Sequence, residues 1–312
     1  MRTYSSTAAP NPATSGWQTH LALVAFILLV ASSPAVTRLA VTKTLTPYDL
    51  ILMRCGIGGL ILLPYFLMHL REMSRRLLVV GFLLAFFQGW GTHLTTVIGL
   101  QFAPAAHASA LGPGFISVWV AVWAWLFYRQ PPSRIQLTSL ALIALGAVVL
   151  LLNSSGAAFT PQTVLGDLLF LCASAFGAIY LVYIQKNQVP PMQGAAMVAV
   201  YSGLVVVPWY MASPLQSRIM DTPVPELIIQ VLYQGVGAGA LFVALLGFIV
   251  VRMGSQRFSM VVACVPILAL LFGRWIAGDG ISMVECVAIG LVSTGVLYGA
   301  CANFSLYKAA AN

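Results

Sequence analysis

The chain is an almost unbroken series of apolar runs, each about as long as a bilayer is thick. A helix needs roughly 20 predominantly apolar residues to cross the hydrocarbon core. A window reading finds ten such stretches, at about 19–41, 48–70, 76–100, 103–127, 134–152, 165–186, 193–212, 227–251, 258–276 and 281–303. Only 7% of the 312 residues are charged, where a soluble domain typically carries about a quarter. So few charges could not clothe a soluble surface. The reading is an all-α integral membrane protein whose surrounding partner is the lipid bilayer.

The formal charge of +8 does not point to nucleic acid. Basic residues fall singly or in twos and threes between apolar runs, as topology determinants do. With ten spans they divide ten to four. Arg2, Arg71, Arg75, Arg76, Arg129, Arg134, Lys186, Arg252, Arg257 and Lys308 fall on one side, and Arg38, Lys43, Arg218 and Arg274 on the other. Retention of Lys and Arg on the cytoplasmic side places both termini there, in a multi-pass protein of the inner (plasma) membrane. Residues 1–18 read as a disordered cytoplasmic tail, 153–164 as a linker and 305–312 as a second cytoplasmic tail. The five cysteines lie in apolar runs without a C-x-x-C pair, which suits small buried hydrophobes rather than disulfides or a metal.

Between the tails the chain repeats itself. "LTPYDLILMRCGIGGLILLP" (45–64) matches "VPPMQGAAMVAVYSGLVVVP" (189–208), with Pro47 and Pro64 facing Pro191 and Pro208 at one offset of 144 residues. Further along, Pro113 pairs with Pro266, and Ser133, Gln136 and Gly146 pair with Ser282, Glu285 and Gly295 at offset 149. The spans therefore form two five-helix repeats, 19–152 and 165–304. Five is odd, so the second unit starts on the opposite side of the membrane and the repeat is inverted. Secondary transporters are commonly built this way, with the site near the midplane between repeats.

These residues resemble the EamA family of the drug/metabolite transporter superfamily. The resemblance rests on the proline-led second span with its arginine ("LTPYDLILMR", Arg54), the proline in the fourth span ("ALGPGF"), and the ninth span "CVPILALLFGRWIAGDGIS", where Gly278 and Asp279 stand at the family's Gly-Glu positions. The first half departs from the pattern, because "YRQPPS" has no acid there. The resemblance implies ten spans, cytoplasmic termini, a cavity lined by spans 1, 3, 4, 6, 8 and 9, and export of amino acids or related metabolites.

The segment "AAHASALGPGF" (105–115) interrupts lipid-fit sequence with a histidine, a serine and a Gly-Pro-Gly triplet. Ala106, Ala110 and Gly114 share a face, and Pro113 frees a backbone carbonyl. Such backbone is tolerated at membrane depth only against protein or a wet cavity, so Pro113 and its counterpart Pro266 read as hinges and Gly114 as cavity wall. A merely kinked packing helix is the competing interpretation. His107 and His93 are the proton-carrying candidates, since imidazole titrates near neutrality; each is also readable as a structural histidine. Trp90, Tyr180, Tyr183 and Gln234 complete the candidate lining. Trp119, Trp123 and Trp125 read as an interfacial belt, and Arg54 as a surface-reaching structural cation or a partner for a substrate carboxylate. Asp49, Asp167 and Glu285 fall in the first turns of their helices, where they complement the dipole, leaving carboxylate-driven coupling without support.

The function expected is alternating-access transport of a small-molecule substrate, most directly export of an amino acid or similar compound, without cofactor, metal or catalytic residue. The rival is an integral-membrane transferase acting on a lipid-linked substrate, which needs clustered carboxylates or a nucleophile–base pair. Substrate identity, direction, coupling ion and oligomeric state are not legible.

Overall fold

The computed structural model describes residues 16–129, 131–153, 161–213, 217–253, 258 and 261–311. The expected tail lies outside them up to residue 15, and so does most of the linker, at 154–160. Among the described residues, nine helices are long and apolar enough to cross a membrane: Trp17–Lys43, Pro47–Glu72, Arg75–Phe102, Ala105–Tyr128, Arg134–Leu152, Pro161–Lys186, Pro191–Ala212, Val224–Leu246 and Met283–Cys301. A shorter apolar helix, Val265–Ala277, stands where the ninth span was expected. In chain order these ten are called the first to tenth spans. The ninth is short because the chain turns at Ala263 and Cys264, and Pro266 then sits in the first turn of the new helix, where a missing N–H costs nothing. The tenth helix continues to Ala311, past the expected boundary at 303.

The offsets read from sequence reappear as contacts. A Cβ on Gly59 would meet the Ala199 carbonyl at 2.7 Å, and one on Gly203 the Cys55 carbonyl at 2.9 Å. The offset of 144 relates both glycines and both carbonyls, so the second and seventh spans touch through a two-fold, self-complementary patch. The fifth and tenth spans do the same at offset 149. Gly146 faces the Ala288 carbonyl and Val292, while Gly295 faces the Ser139 carbonyl and Ile143. Even the caps are paired. Ser133 and Gln136 form a reciprocal cap at the start of the fifth span, and Ser282 and Glu285 form the same cap on the tenth. Two inverted five-helix units packed about a pseudo-two-fold axis account for all four pairings.

Among the described residues, five spans contain π-helical stretches: Leu52–Ile57, Phe86–Trp90, Ala110–Gly114, Val231–Leu241 and Gly273–Ala277. A π-turn inserts a residue into the helical ladder and is common at functional sites. The third and eighth spans carry theirs at equivalent points, each on a QGxG sequence, "QGWG" (88–91) and "QGVG" (234–237). The third span is also kinked at Gly89, where a Cβ would lie 1.9 Å from the Ser202 hydroxyl; only glycine fits that crossing.

Most of the described acids gather at one end of the bundle, beside Arg38, Lys43, Arg218 and Arg274, and most of the bases at the other. Asp49, Asp167, Asp221, Glu226, Asp279 and Glu285 lie toward the end bearing the short turn at Ala103 and Pro104; Glu72 lies at the other end, with Arg71, Arg75, Arg76, Arg129, Arg134 and Lys186. The acid-rich end is where the two repeats are tied together by polar bonds.

Candidate functional site

The ties at the acid-rich end centre on carboxylates that reach from one repeat to the other. Asp279, just past the ninth span, accepts from Arg38 Nε at 2.8 Å and from the Ala105 amide at 2.9 Å, capping the fourth span. Arg38 also donates from Nη1 to the Leu100 carbonyl at 2.8 Å and to the Ala103 carbonyl. Asp49 closes a reciprocal cap with Thr46 on the second span and reaches across the seam, accepting from Tyr210, from Ser217 at 3.0 Å and from the Arg218 amide at 3.1 Å. The Thr44 hydroxyl donates to Glu226 at 2.6 Å.

His107 holds the most buried tie. Its Nδ1 lies 2.9 Å from Asp167 Oδ1 and its Nε2 lies 3.2 Å from Glu285 Oε1. The histidine side chain is 2% exposed and Asp167 0%. This corrects the expectation that Asp167 and Glu285 serve only their own helix dipoles. They come from the sixth and tenth spans, 60 and 178 residues away from the ring they share. Glu285 does both tasks, since its other oxygen accepts the Ser282 amide at 2.7 Å.

The middle of the bundle is different. Among the described residues, four buried polar atoms there have no hydrogen-bond partner: Arg54 Nε, Gln88 Oε1, Trp119 Nε1 and Ser293 Oγ. At 1.5 Å per residue they lie about 10 to 21 Å below the acid-rich ends of their helices, the central part of a core about 30 Å thick. Arg54 thus departs from its expected place at the surface. Its π-helical stretch is clasped by glycines, with the Arg54 carbonyl 2.8 Å from where a Cβ of Gly239 would be. The guanidinium lies within electrostatic reach of His93 and Tyr233. The tryptophans also move inward. Trp119 stacks on Trp123 at 5.8 Å, and Trp123 donates to the Ala175 carbonyl of the sixth span at 3.0 Å. Trp125, 60% exposed, stays on the outer surface.

The sequence candidates separate into groups. Trp90 and His93 are part-exposed on the third span, and the Trp90 ring meets Phe86 edge-on at 4.8 Å. Gly114 packs against Val292 of the tenth span, where a Cβ would come within 2.7 Å. Pro113 lies in a π-helical stretch and Pro266 follows the break in the ninth span. Gln234 is buried and donates to Thr37 Oγ1 of the first span at 2.9 Å. Tyr180 is buried beside Gly194. Tyr183, near the basic end, lines a shallow cavity of about 210 Å³ with Glu72, Arg76 and Gln193. His107 and His93 therefore have different neighbours: carboxylates for one, a guanidinium for the other. Sequence reasoning passed over Gln88, although the repeated QGxG was the signal that could have found it.

The basic end is held more loosely. Gln193 donates to Glu72 in an exposed bond of 3.1 Å, Lys186 sits 5.2 Å over the Tyr128 ring, and an open groove of about 480 Å³ runs past Val120, Leu181, Ile184 and Pro191.

An inverted pair of five-helix units is a construction that many membrane transporters share. The EamA-like transporter family matches residues 17–152 and again 164–298, so the chain belongs to that family. It is a multi-pass membrane transporter of small molecules. A solved structure titled "Crystal structure of protein" shares the fold, with 19% identity and a TM-score of 0.58 over 91% of this chain and 98% of that one. No curated protein matches the sequence.

Proposed function

We propose that the chain exports amino acids or closely related compounds across the inner membrane by alternating access, with both termini cytoplasmic and the acid-rich end facing outward. The orientation follows from the bias of Lys and Arg to the basic end. In this reading the polar ties at the acid-rich end are the closed outer gate, and the looser basic end is the cytoplasmic entrance.

The observation that carries the substrate side is the unpartnered Arg54 Nε. An ionised side chain inside a membrane is costly and belongs by default to a functional site. Among the described acids, Glu72 lies at the basic end, Asp49, Asp167, Glu226, Asp279 and Glu285 are bonded at the acid-rich end, and Asp221 lies at that end too. A carboxylate arriving with the substrate would supply the missing counter-charge through a charge-assisted bond. Gln88 and Trp119 offer an acceptor and a donor for a polar remainder, and the Trp119–Trp123 stack offers an apolar face.

Counterflow in proteoliposomes tests this, using labelled amino acids, nucleobases and sugars. Amino-acid counterflow that Arg54→Met weakens at least tenfold is expected. Counterflow of sugars alone, indifferent to Arg54, would overturn the substrate class.

A further inference from the structure

The bonds at His107 count protons. Each needs one hydrogen between its two heavy atoms, and an ionised carboxylate can only accept. A neutral imidazole with two ionised carboxylates brings one hydrogen; the geometry uses two, at 2.9 Å and 3.2 Å. One further proton must therefore be present, on the ring or on a carboxyl oxygen. With it the cluster carries a single negative charge instead of two, which is far cheaper to bury. The members lie on opposite sides of the seam, His107 in the first repeat and Asp167 and Glu285 in the second.

We propose that His107, Asp167 and Glu285 form a proton-binding site in which opening of the acid-rich end releases one proton. The proposal rests on the carrier reading, because that opening is half of a transport cycle. Once the repeats part, the three groups meet water and regain ordinary behaviour, with histidine titrating near about pH 6.5 and the carboxylates near about 4. Above about pH 6.5 the exposed ring loses its proton while both carboxylates stay ionised, so the open state holds one proton fewer than the closed. Rising pH then favours opening, by up to about tenfold per unit. Between about pH 4.5 and 6.5 the open groups hold as many protons as the closed cluster, and the slope vanishes.

The charged groups nearest the cluster have places of their own. Arg38 and Asp279 are bonded to each other beside Ala105. Arg274 of the ninth span is exposed. Ser282 is uncharged; it donates its amide to Glu285 and accepts the Glu285 amide at its hydroxyl. A proton gradient therefore acts on the gate through these three residues, and the gradient-coupled form of the carrier is a proton exchanger.

The double variant Asp167→Asn/Glu285→Gln tests the idea without removing a bond. A neutral His107 would donate to the Asn oxygen and accept from the Gln amide, so no extra proton is needed. The full chain, with its five native cysteines replaced, is reconstituted in liposomes with spin labels at Lys43 and Gly280, exposed positions on opposite sides of the seam. Label separation is measured by dipolar spectroscopy from pH 5 to 8.5. The expected result is a long-distance population that grows above about pH 6.5 with the natural triad, and a pH-independent one with the double variant. Equal slopes in both, or none with the natural triad, would overturn the proposal. Counterflow in the same liposomes separates the two readings. Transport with pH-independent distances sinks the proton site alone, whereas pH-dependent distances without transport of any solute sink the carrier reading alone.

Discussion

The polar groups bonded across the acid-rich end and the four that keep an unpartnered atom at mid-depth obey opposite rules. Asp49, Asp279, His107 and Glu285 are bonded across the seam, whereas Arg54, Gln88, Trp119 and Ser293 each keep a buried atom without a partner. Membrane interiors penalise an orphaned polar group, so a fold that satisfies one set and leaves the other must be compensated elsewhere. The difference separates holding from waiting. One end joins the repeats; in the proposed transport cycle the four unpartnered groups at mid-depth meet the substrate. Replacements of the bonded groups should therefore cost stability, and replacements of the unpartnered ones should cost transport.

The largest effect expected is at His107. Asp167→Ala removes one partner from a buried, charge-assisted pair, and such losses cost about 3–5 kcal/mol. Thermal unfolding in detergent should show a large drop in Tm; an unchanged Tm would place Asp167 among the waiting groups and break the contrast. The repeat-related glutamines sharpen it next. Gln234→Leu strips the bond to Thr37 and should destabilise by about 1–3 kcal/mol. Gln88→Leu removes a group with an orphaned oxygen and should leave stability within about 1 kcal/mol or raise it, while altering counterflow KM. Trp119→Phe is the mildest. It keeps most of the aromatic surface stacked on Trp123 and removes a donor with no partner, so only a change of a few-fold in KM is expected, with Tm unmoved.

Much of this architecture could be read from spacing. Ten apolar runs and offsets of 144 and 149 located the helices and the repeat, and the same offsets relate Gly59 to Gly203 and Gly146 to Gly295 where the repeats touch. That was legible because hydrophobic length and proline position are local properties. The cluster at His107 was not. Its members lie far apart in sequence, and each has a sufficient local explanation, as with Glu285, which does cap its own helix. Nor was the inward position of Arg54 legible: a cation seven residues into a span can reach back toward the surface, and only the glycine-lined approach of the eighth span to the second fixes where it lies. Trp119 and Trp123 were misplaced for a related reason, since a membrane-end cluster of tryptophans looks the same in sequence whichever way it faces.

Arg54 gives the most direct test of the division between holding and waiting. Tm and amino-acid counterflow are measured on the same preparation of Arg54→Met, a side chain of similar length without charge or donors. An equal or higher Tm is expected, because an uncompensated cation has left the membrane interior, together with counterflow weakened at least tenfold. A lower Tm with counterflow intact would show that Arg54 belongs to the scaffold, and would contradict the account.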